Sequence, residues 1–257
     1  MLTRPHPLAN RHALVTGGGR GIGRAVAAAL TGAGATVTIL GRDASVLAAA
    51  IEEGVGQGYA ACDVTDPQSV ARAVETATIE QGAVDILVAN AGGAISKPFG
   101  RTGAADFRAM LDLNLMGVVY AVQAVLGGMQ ERGAGRIVAI ASTAALKGYP
   151  YVTAYCAAKH AVLGFVRALA VESAASGVTV NAVCPGFTDT DLVGRSVEAI
   201  TTKTGRTREA ALGELTRHNP QGRLVAPGEV ADAVLWLCGD GASAVTGQAI
   251  AVAGGEV

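Results

Sequence analysis

The chain has 257 residues, half of them apolar, 16% charged and 35 of them glycine, with a formal net charge of -1. This length buries one large core and this composition excludes disorder. A balanced charge with no block of five or more lysines and arginines excludes sequence-independent attraction to nucleic acid.

The first strand is predicted over Ala13–Thr16, followed by a glycine-rich turn and a helix over Ile22–Gly32. Strands follow at Thr36–Leu40 and Gly58–Ala61, then a helix at Pro67–Gln81 and a strand at Ile86–Ala89. A long helix is expected over Ala105–Arg132, a strand over Arg136–Ala141, a helix over Thr153–Ala175 and a strand over Thr179–Val183. Phe187–Arg223 is polar and threonine-rich, a length that calls for a functional lid or short helices of its own. A helix at Pro227–Leu237 and a strand at Ala249–Val252 complete the pattern. The strands are short, apolar and β-branched, and read as buried on both faces. Their alternation with helices predicts an α/β chain: one domain over residues 1–257, a doubly wound parallel seven-stranded sheet with helices on both faces and a lid at about 187–223. Its ligand crevice lies beyond the carboxyl ends of the strands.

Met1–Arg11 contains no apolar run of signal-peptide type, and no later apolar stretch reads as membrane-spanning. A cytoplasmic protein without a membrane partner is expected. Cys62, Cys156, Cys184 and Cys238 are far apart and lack histidine neighbours, so they read as buried, reduced thiols, with no metal site suggested.

Thr16-Gly17-Gly18-Gly19-Arg20-Gly21-Ile22-Gly23 joins the first strand to the first helix, where glycines let backbone N–H groups approach a pyrophosphate. Near the end of the second strand, where an NAD site offers an acidic side chain to the ribose, the chain reads Leu40-Gly41-Arg42. Gly41 offers no carboxylate, and Arg42, with Arg20, suits a 2′-phosphate, so NADP(H) is favoured over NAD(H). In the competing reading Arg42 is a solvated surface residue and Asp43 binds the ribose of NAD(H).

Tyr155 and Lys159 are four residues apart on one helix face; Tyr149 and Tyr151 have no cation at that offset. Lowering a phenol from about 10 to about 7 takes about 4 kcal/mol, which an ammonium about 4 Å away supplies at an effective dielectric near 20. Ser142, at a strand end, suits a hydroxyl that polarises a substrate oxygen, or a cap of the next segment. Asn114, amid apolar neighbours, suits a side chain holding a water that links Lys159 to solvent, or one satisfying a buried backbone group.

Together these residues resemble the short-chain dehydrogenase/reductase family, over Arg11–Gly255. Thr16–Gly23 is similar to its T-G-x-x-x-G-x-G turn, Asp63-Val64 to its adenine-contacting pair, and Ala89-Asn90-Ala91-Gly92 to its N-N-A-G segment with the first asparagine replaced. Pro185-Gly186-Phe187-Thr188-Asp189-Thr190 resembles its P-G-x-x-x-T, placing the Thr188 backbone and the Thr190 side chain near the nicotinamide carboxamide. Val252-Ala253-Gly254-Gly255 departs from the family where an aspartate commonly precedes the two glycines. The resemblance implies a Rossmann-type fold, Asn114, Ser142, Tyr155 and Lys159 as catalytic residues, and a homotetramer. It further implies carbonyl–alcohol chemistry on a small molecule, with 3-oxoacyl thioester reductases and hydroxybutyrate dehydrogenases the nearest in feel. A dinucleotide sensor without chemistry is the contrasting expectation, and the presence of both Tyr155 and Lys159 opposes it. For the substrate, Tyr149, Tyr151 and Phe187 offer apolar walls. Lys203, Arg206, Arg208 and Arg217 suit an anionic group or a solvated face equally.

Overall fold

The computed structural model describes residues 6–257, except for the side chains at 192, 195, 199, 200 and 203. Met1–Pro5, part of the first segment read for targeting, lie outside the described residues. The elements run β1 (His12–Thr16), α1 (Gly21–Gly32), β2 (Thr36–Gly41), α2 (Ala44–Glu52), β3 (Gly58–Ala61), α3 (Pro67–Gln81), β4 (Val84–Ala89), α4 (Ala104–Leu111), α5 (Gly117–Glu131), β5 (Gly135–Ile140), α6 (Thr153–Ser173), β6 (Val178–Pro185), α7 (Asp191–Thr204), α8 (Arg208–Thr216), α9 (Pro227–Cys238) and β7 (Ala249–Val252). The sheet has seven parallel strands in the order β3-β2-β1-β4-β5-β6-β7. The chain winds outward from β1 to β3 and then resumes at β4, so the topological switch lies between β1 and β4.

Strand alternation sends side chains to two cores. Leu14, Leu87, Ile137 and Val180 meet Val70 of α3, Val122 of α5 and Val162 of α6. Ala13, Val15, Ile39 and Val138 meet Val26 of α1, Leu47 of α2 and Val234 of α9. The expectation that every strand is buried on both faces fails at the edges. β3 alternates half-buried with exposed residues and β7 is mostly half-buried, because an edge strand has a neighbour on one side only.

Two helical stretches, Ala104–Glu131 and Thr153–Ser176, are long and apolar enough by length and composition to cross a membrane. This corrects the reading that no apolar stretch reaches that length. Their apolarity has a local cause, since α5 and α6 bury Val118, Val122, Val125, Val162 and Val166 against the sheet. The four cysteines are free; Cys62, Cys184 and Cys238 are buried, whereas Cys156 is only half-buried.

The long helix expected over Ala105–Arg132 is interrupted by a π-turn at Asp112–Met116. The polar interruption Phe187–Arg223 contains α7 and α8, around a small cluster of Val193, Val197 and Ala211.

Candidate active site

The glycine turn is held by polar groups from both sides of the switch point. Thr16 at the end of β1 accepts hydrogen bonds through its hydroxyl from the N–H groups of Asn90 and Ala91, each at 3.0 Å. Asn90 Nδ2 donates back to the carbonyls of Thr16 at 3.0 Å and Gly17 at 3.3 Å. Gly17 has φ +67, and a Cβ on Gly23 would lie 2.3 Å from the Gly17 carbonyl oxygen and 2.4 Å from Asn90 Nδ2. Only glycine fits there without moving backbone. Arg20 caps α1 through no side-chain bond, so the first-turn amides near Gly21, half-buried Ile22 and Gly23 are available to an anion. Glycines that fill their own cradle and an uncapped helix start fit a dinucleotide pyrophosphate. Across the cleft, a Cβ on Gly21 would lie 3.2 Å from the Thr190 methyl, which places Thr190 opposite the turn.

At the adenosine end, Asp43 is occupied. It caps α2, accepting from the Ser45 hydroxyl at 2.6 Å and the Ser45 and Val46 amides at 3.2 and 3.3 Å. The Ser45 hydroxyl and Val46 amide hold its carboxyl below the usual range, and Arg20, 3.7 Å away, adds a smaller pull. Arg42 is exposed beside it. Asp63 accepts from the Thr65 amide and hydroxyl, which hold its carboxyl low, with a smaller contribution from Arg42. Val64 is 5% exposed and packs against Gly117, so its side chain belongs to the core. Any adenine contact from that residue falls to its backbone.

β5 and α6 deliver the reacting groups. Ser142 follows β5; its Oγ accepts from the Ala144 amide at 3.1 Å, and its side chain is close enough to Tyr155 to pull on the phenol's pKa. The capping reading of Ser142 is therefore also true. Tyr155 and Lys159 share a face of α6, with Lys159 Nζ 5.8 Å from the Tyr155 ring centre. Lys159 is 4% exposed and donates to the Ile140 carbonyl at 2.8 Å, and burial pulls its pKa down to about 8. Burial raises Tyr155 more than its bond to Ser142 lowers it. The shift is therefore upward, opposite in direction to the expected drop to about 7. The ammonium is directed at the Ile140 carbonyl, and desolvation opposes the phenolate.

Asn114 sits in the π-turn, fully buried. Its Nδ2 donates to the carbonyls of Gly93 at 2.9 Å and Met110 at 3.1 Å, and its Oδ1 accepts from the Gly93 amide at 3.2 Å. The side chain braces the Asn90–Gly93 strap and gives both Nδ2 hydrogens to backbone carbonyls, in keeping with the reading that it satisfies buried backbone groups. A Cβ on Gly92 would lie 2.8 Å from Asn114 Oδ1 and 3.6 Å from Lys159 Nζ, so this strap runs directly over the lysine.

The family model for short chain dehydrogenase matches residues 11–201. The chain belongs to the short-chain dehydrogenase family. It is 40% identical over 253 residues to a putative ketoacyl reductase of Streptomyces coelicolor, covering 95% of each chain. It is 39% identical to the 3-oxoacyl-acyl-carrier-protein reductase FabG of Vibrio harveyi, covering 96% of this chain and 98% of that one. Among solved structures, an actinorhodin polyketide ketoreductase with NADPH superposes with a TM-score of 0.92 at 37% identity, covering 97% of this chain and 98% of that one. Family membership with such relatives makes this short-chain dehydrogenase an NAD(P)-dependent enzyme interconverting a carbonyl and an alcohol. The non-catalytic sensor is set aside.

On the nicotinamide side, Pro185 ends β6 and the Gly186 amide donates to the Val252 carbonyl at 3.0 Å. Thr188 is buried, its hydroxyl donating to the Gly186 carbonyl, while Thr190 donates to the Thr188 carbonyl. Tyr149 meets Phe187 and His218 edge-on, at ring separations of 5.9 and 6.1 Å. Tyr151 is exposed and holds φ +68, and its carbonyl accepts from the Lys97 amide at 2.7 Å. Two of the four cations named for an anionic substrate are paired, Arg206 at 3.8 Å and Arg217 at 2.9 Å from Glu214. Arg208 is exposed, and the side chain of Lys203 lies outside the described residues. The sequence reading did not single out the Ile140 carbonyl or the cluster of Thr143, Lys147, Tyr149 and Glu256. The carbonyl is backbone and leaves no residue-type signal, and the cluster joins positions more than a hundred residues apart.

Proposed function

We propose that the chain is an NADPH-dependent reductase of a 3-oxoacyl thioester or a related ketone. The observation that carries this reading is geometric: the Tyr155 ring lies 5.8 Å from the Nζ of buried Lys159 on α6, with the Ser142 side chain beside the phenol, so that two hydroxyls can meet one substrate oxygen. A bound nicotinamide supplies the hydride for the carbonyl carbon. Ser142 and Tyr155 orient the carbonyl oxygen, and Tyr155 gives it a proton. Lys159 then stabilises the phenolate, and Asn114 keeps the strap above it in place. Gly17, Gly21, Ile22 and Gly23 would hold the pyrophosphate, Asn90, Ala91 and Gly92 the ribose, and Pro185, Gly186, Thr188 and Thr190 the carboxamide.

NADP(H) is favoured over NAD(H) because Asp43 is spent on capping α2, while exposed Arg20 and Arg42 present charge to a 2′-phosphate. The ketoacyl and 3-oxoacyl reductase names of the relatives support the substrate class. The segment 187–223 acts as the substrate lid within a single domain. The reading includes a homotetramer, in which Val171, 81% exposed on α6, would find cover.

The test is a panel of ketones, 3-oxoacyl thioesters and alcohols assayed with both cofactors, for wild type and Tyr155→Phe. Wild type is expected to reduce 3-oxo substrates with NADPH, and Tyr155→Phe to lose about 10²–10⁴-fold in kcat while still binding NADPH. Faster oxidation of a hydroxyacid or secondary alcohol with NAD would favour a dehydrogenase instead. A fully active Tyr155→Phe would remove the proton-donor role.

A further inference from the structure

Behind the reacting pair lies a buried carboxylate that the chemistry above does not use. Glu256 follows β7, and its side chain is 1% exposed. Its Oε1 lies 2.5 Å from the Tyr149 hydroxyl and 3.0 Å from Lys147 Nζ, which also reaches the Glu256 carbonyl at 3.2 Å. The Tyr149 hydroxyl is also 2.6 Å from Thr143 Oγ1. Having one proton, the phenol donates to the carboxylate and accepts from Thr143. A Cβ on Gly186 would stand 3.1 Å from Glu256 Oε2, so the missing side chain there makes room for the carboxylate.

A buried carboxylate is tolerated only when a cation and hydrogen bonds replace water. Here both come from a single connection, the stretch between Ser142 and Tyr155. Thr143 is next to Ser142, and Tyr149 stands edge-on to Phe187 and His218 at the entrance to the lid segment. We propose that Glu256 is a positioning residue: through Tyr149 and Lys147 its carboxylate fixes the Ser142–Tyr155 connection and the aromatic wall against which the ketone docks. This rests on the reading of Ser142 and Tyr155 as the groups that meet the carbonyl oxygen. Glu256 acts mainly on substrate placement: its bonds run to Tyr149 and Lys147, none reaches the glycine turn, and towards the cofactor side it only packs against Gly186.

The experiment is a double-mutant cycle on Glu256→Ala and Tyr149→Phe, following kcat and KM for a 3-oxoacyl thioester, Kd for NADPH and Tm. Each single variant is expected to lower kcat/KM about tenfold with NADPH affinity within about twofold, and the double variant to be no worse than the more severe single. Glu256→Gln, which keeps an acceptor for Tyr149 but loses the charge facing Lys147, should fall between wild type and Glu256→Ala. It also keeps the test open should Glu256→Ala fail to fold. Multiplying effects in the double variant, a fall in Tm with kcat/KM unchanged, or NADPH affinity lost in step with kcat/KM would each overturn the proposal. Wild type inert towards every carbonyl in the panel would sink the functional reading. Wild type turnover with indifferent Glu256 and Tyr149 variants sinks this inference alone.

Discussion

Around Thr16–Gly23 the backbone is held from inside the protein: Thr16 and Asn90 exchange hydrogen bonds across the switch point, and Gly17 and Gly23 leave no room for a side chain. Across the cleft, α7 and α8 are polar helices over a three-residue buried cluster, and Arg206 and Arg217, which flank α8, pair with its Glu214. The first region is a rigid mould whose shape is settled before any ligand arrives. The second has little core of its own, which suits the lid proposed for it. Specificity for cofactor and specificity for substrate are therefore held by parts of very different stiffness.

The largest effect expected from this contrast is the cost of dryness on the rigid side. Lys159 has its pKa lowered to about 8 by burial, whereas an unfolded lysine titrates near 10.4. Below pH 8 both states are protonated and the folded state bears the full penalty. Between about pH 8 and 10.4 the unfolded state binds more protons, so stability rises with pH. Chemical denaturation of the cofactor-free protein should show wild type gaining on the order of 3 kcal/mol relative to Lys159→Met across that window. Parallel curves for the two proteins would mean that Nζ is solvated and that this half of the site is wetter than drawn.

Next is Arg42→Ala, expected to lower kcat/KM with NADPH by about ten- to a hundredfold, the worth of a charge-assisted hydrogen bond, and to leave NADH almost unchanged. An equal loss with both cofactors would assign Arg42 to structure. The smallest effect belongs to the soft side. Thr207 caps α8 by accepting from the Ala210 amide at 3.2 Å, and Thr207→Ala should cost about 1 kcal/mol. Hydrogen exchange should quicken in α8 and KM for the ketone should rise, with NADPH affinity unmoved. A matching loss of NADPH affinity would show that the two regions move together.

How far the sequence could be read follows the same division. Strands of the parallel sheet announce themselves as apolar, β-branched runs, and the glycine turn is legible because each glycine answers a backbone demand. Tyr155 and Lys159 were found by helical spacing alone. α2 was missed because Ala44–Glu52 is almost uniformly apolar and offers no polar stripe, although Asp43 before it is a cap signal. The segment that holds α7 and α8 is read as a lid or as carrying short helices of its own: α8 has weak periodicity, whereas the apolar spacing of Leu192, Val193, Val197 and Ile200 is a helical signal that this reading leaves unused. Of the two uses that the sequence offers Asn114, the bonds to Gly93 and Met110 match the backbone-satisfying one. Nothing in Asp112–Met116 reveals a π-turn, which arises from the tertiary fit of α4 and α5 against the strap. The drop in the Tyr155 pKa failed for a related reason: spacing gives a shared face, whereas desolvation depends on what closes over it.

That π-turn has a consequence for how the site can vary. A π-turn accommodates one residue more than a regular helix would, and each helical residue advances the face by about 100°. Removing any single residue from Asp112–Met116 would let the helix run regularly and would turn Asn114 away from Gly93, even if the asparagine itself were kept. The brace over Lys159 is therefore encoded in phase as much as in chemistry. Substitutions along α4 and α5 are tolerable in principle, but a change of length by one is not.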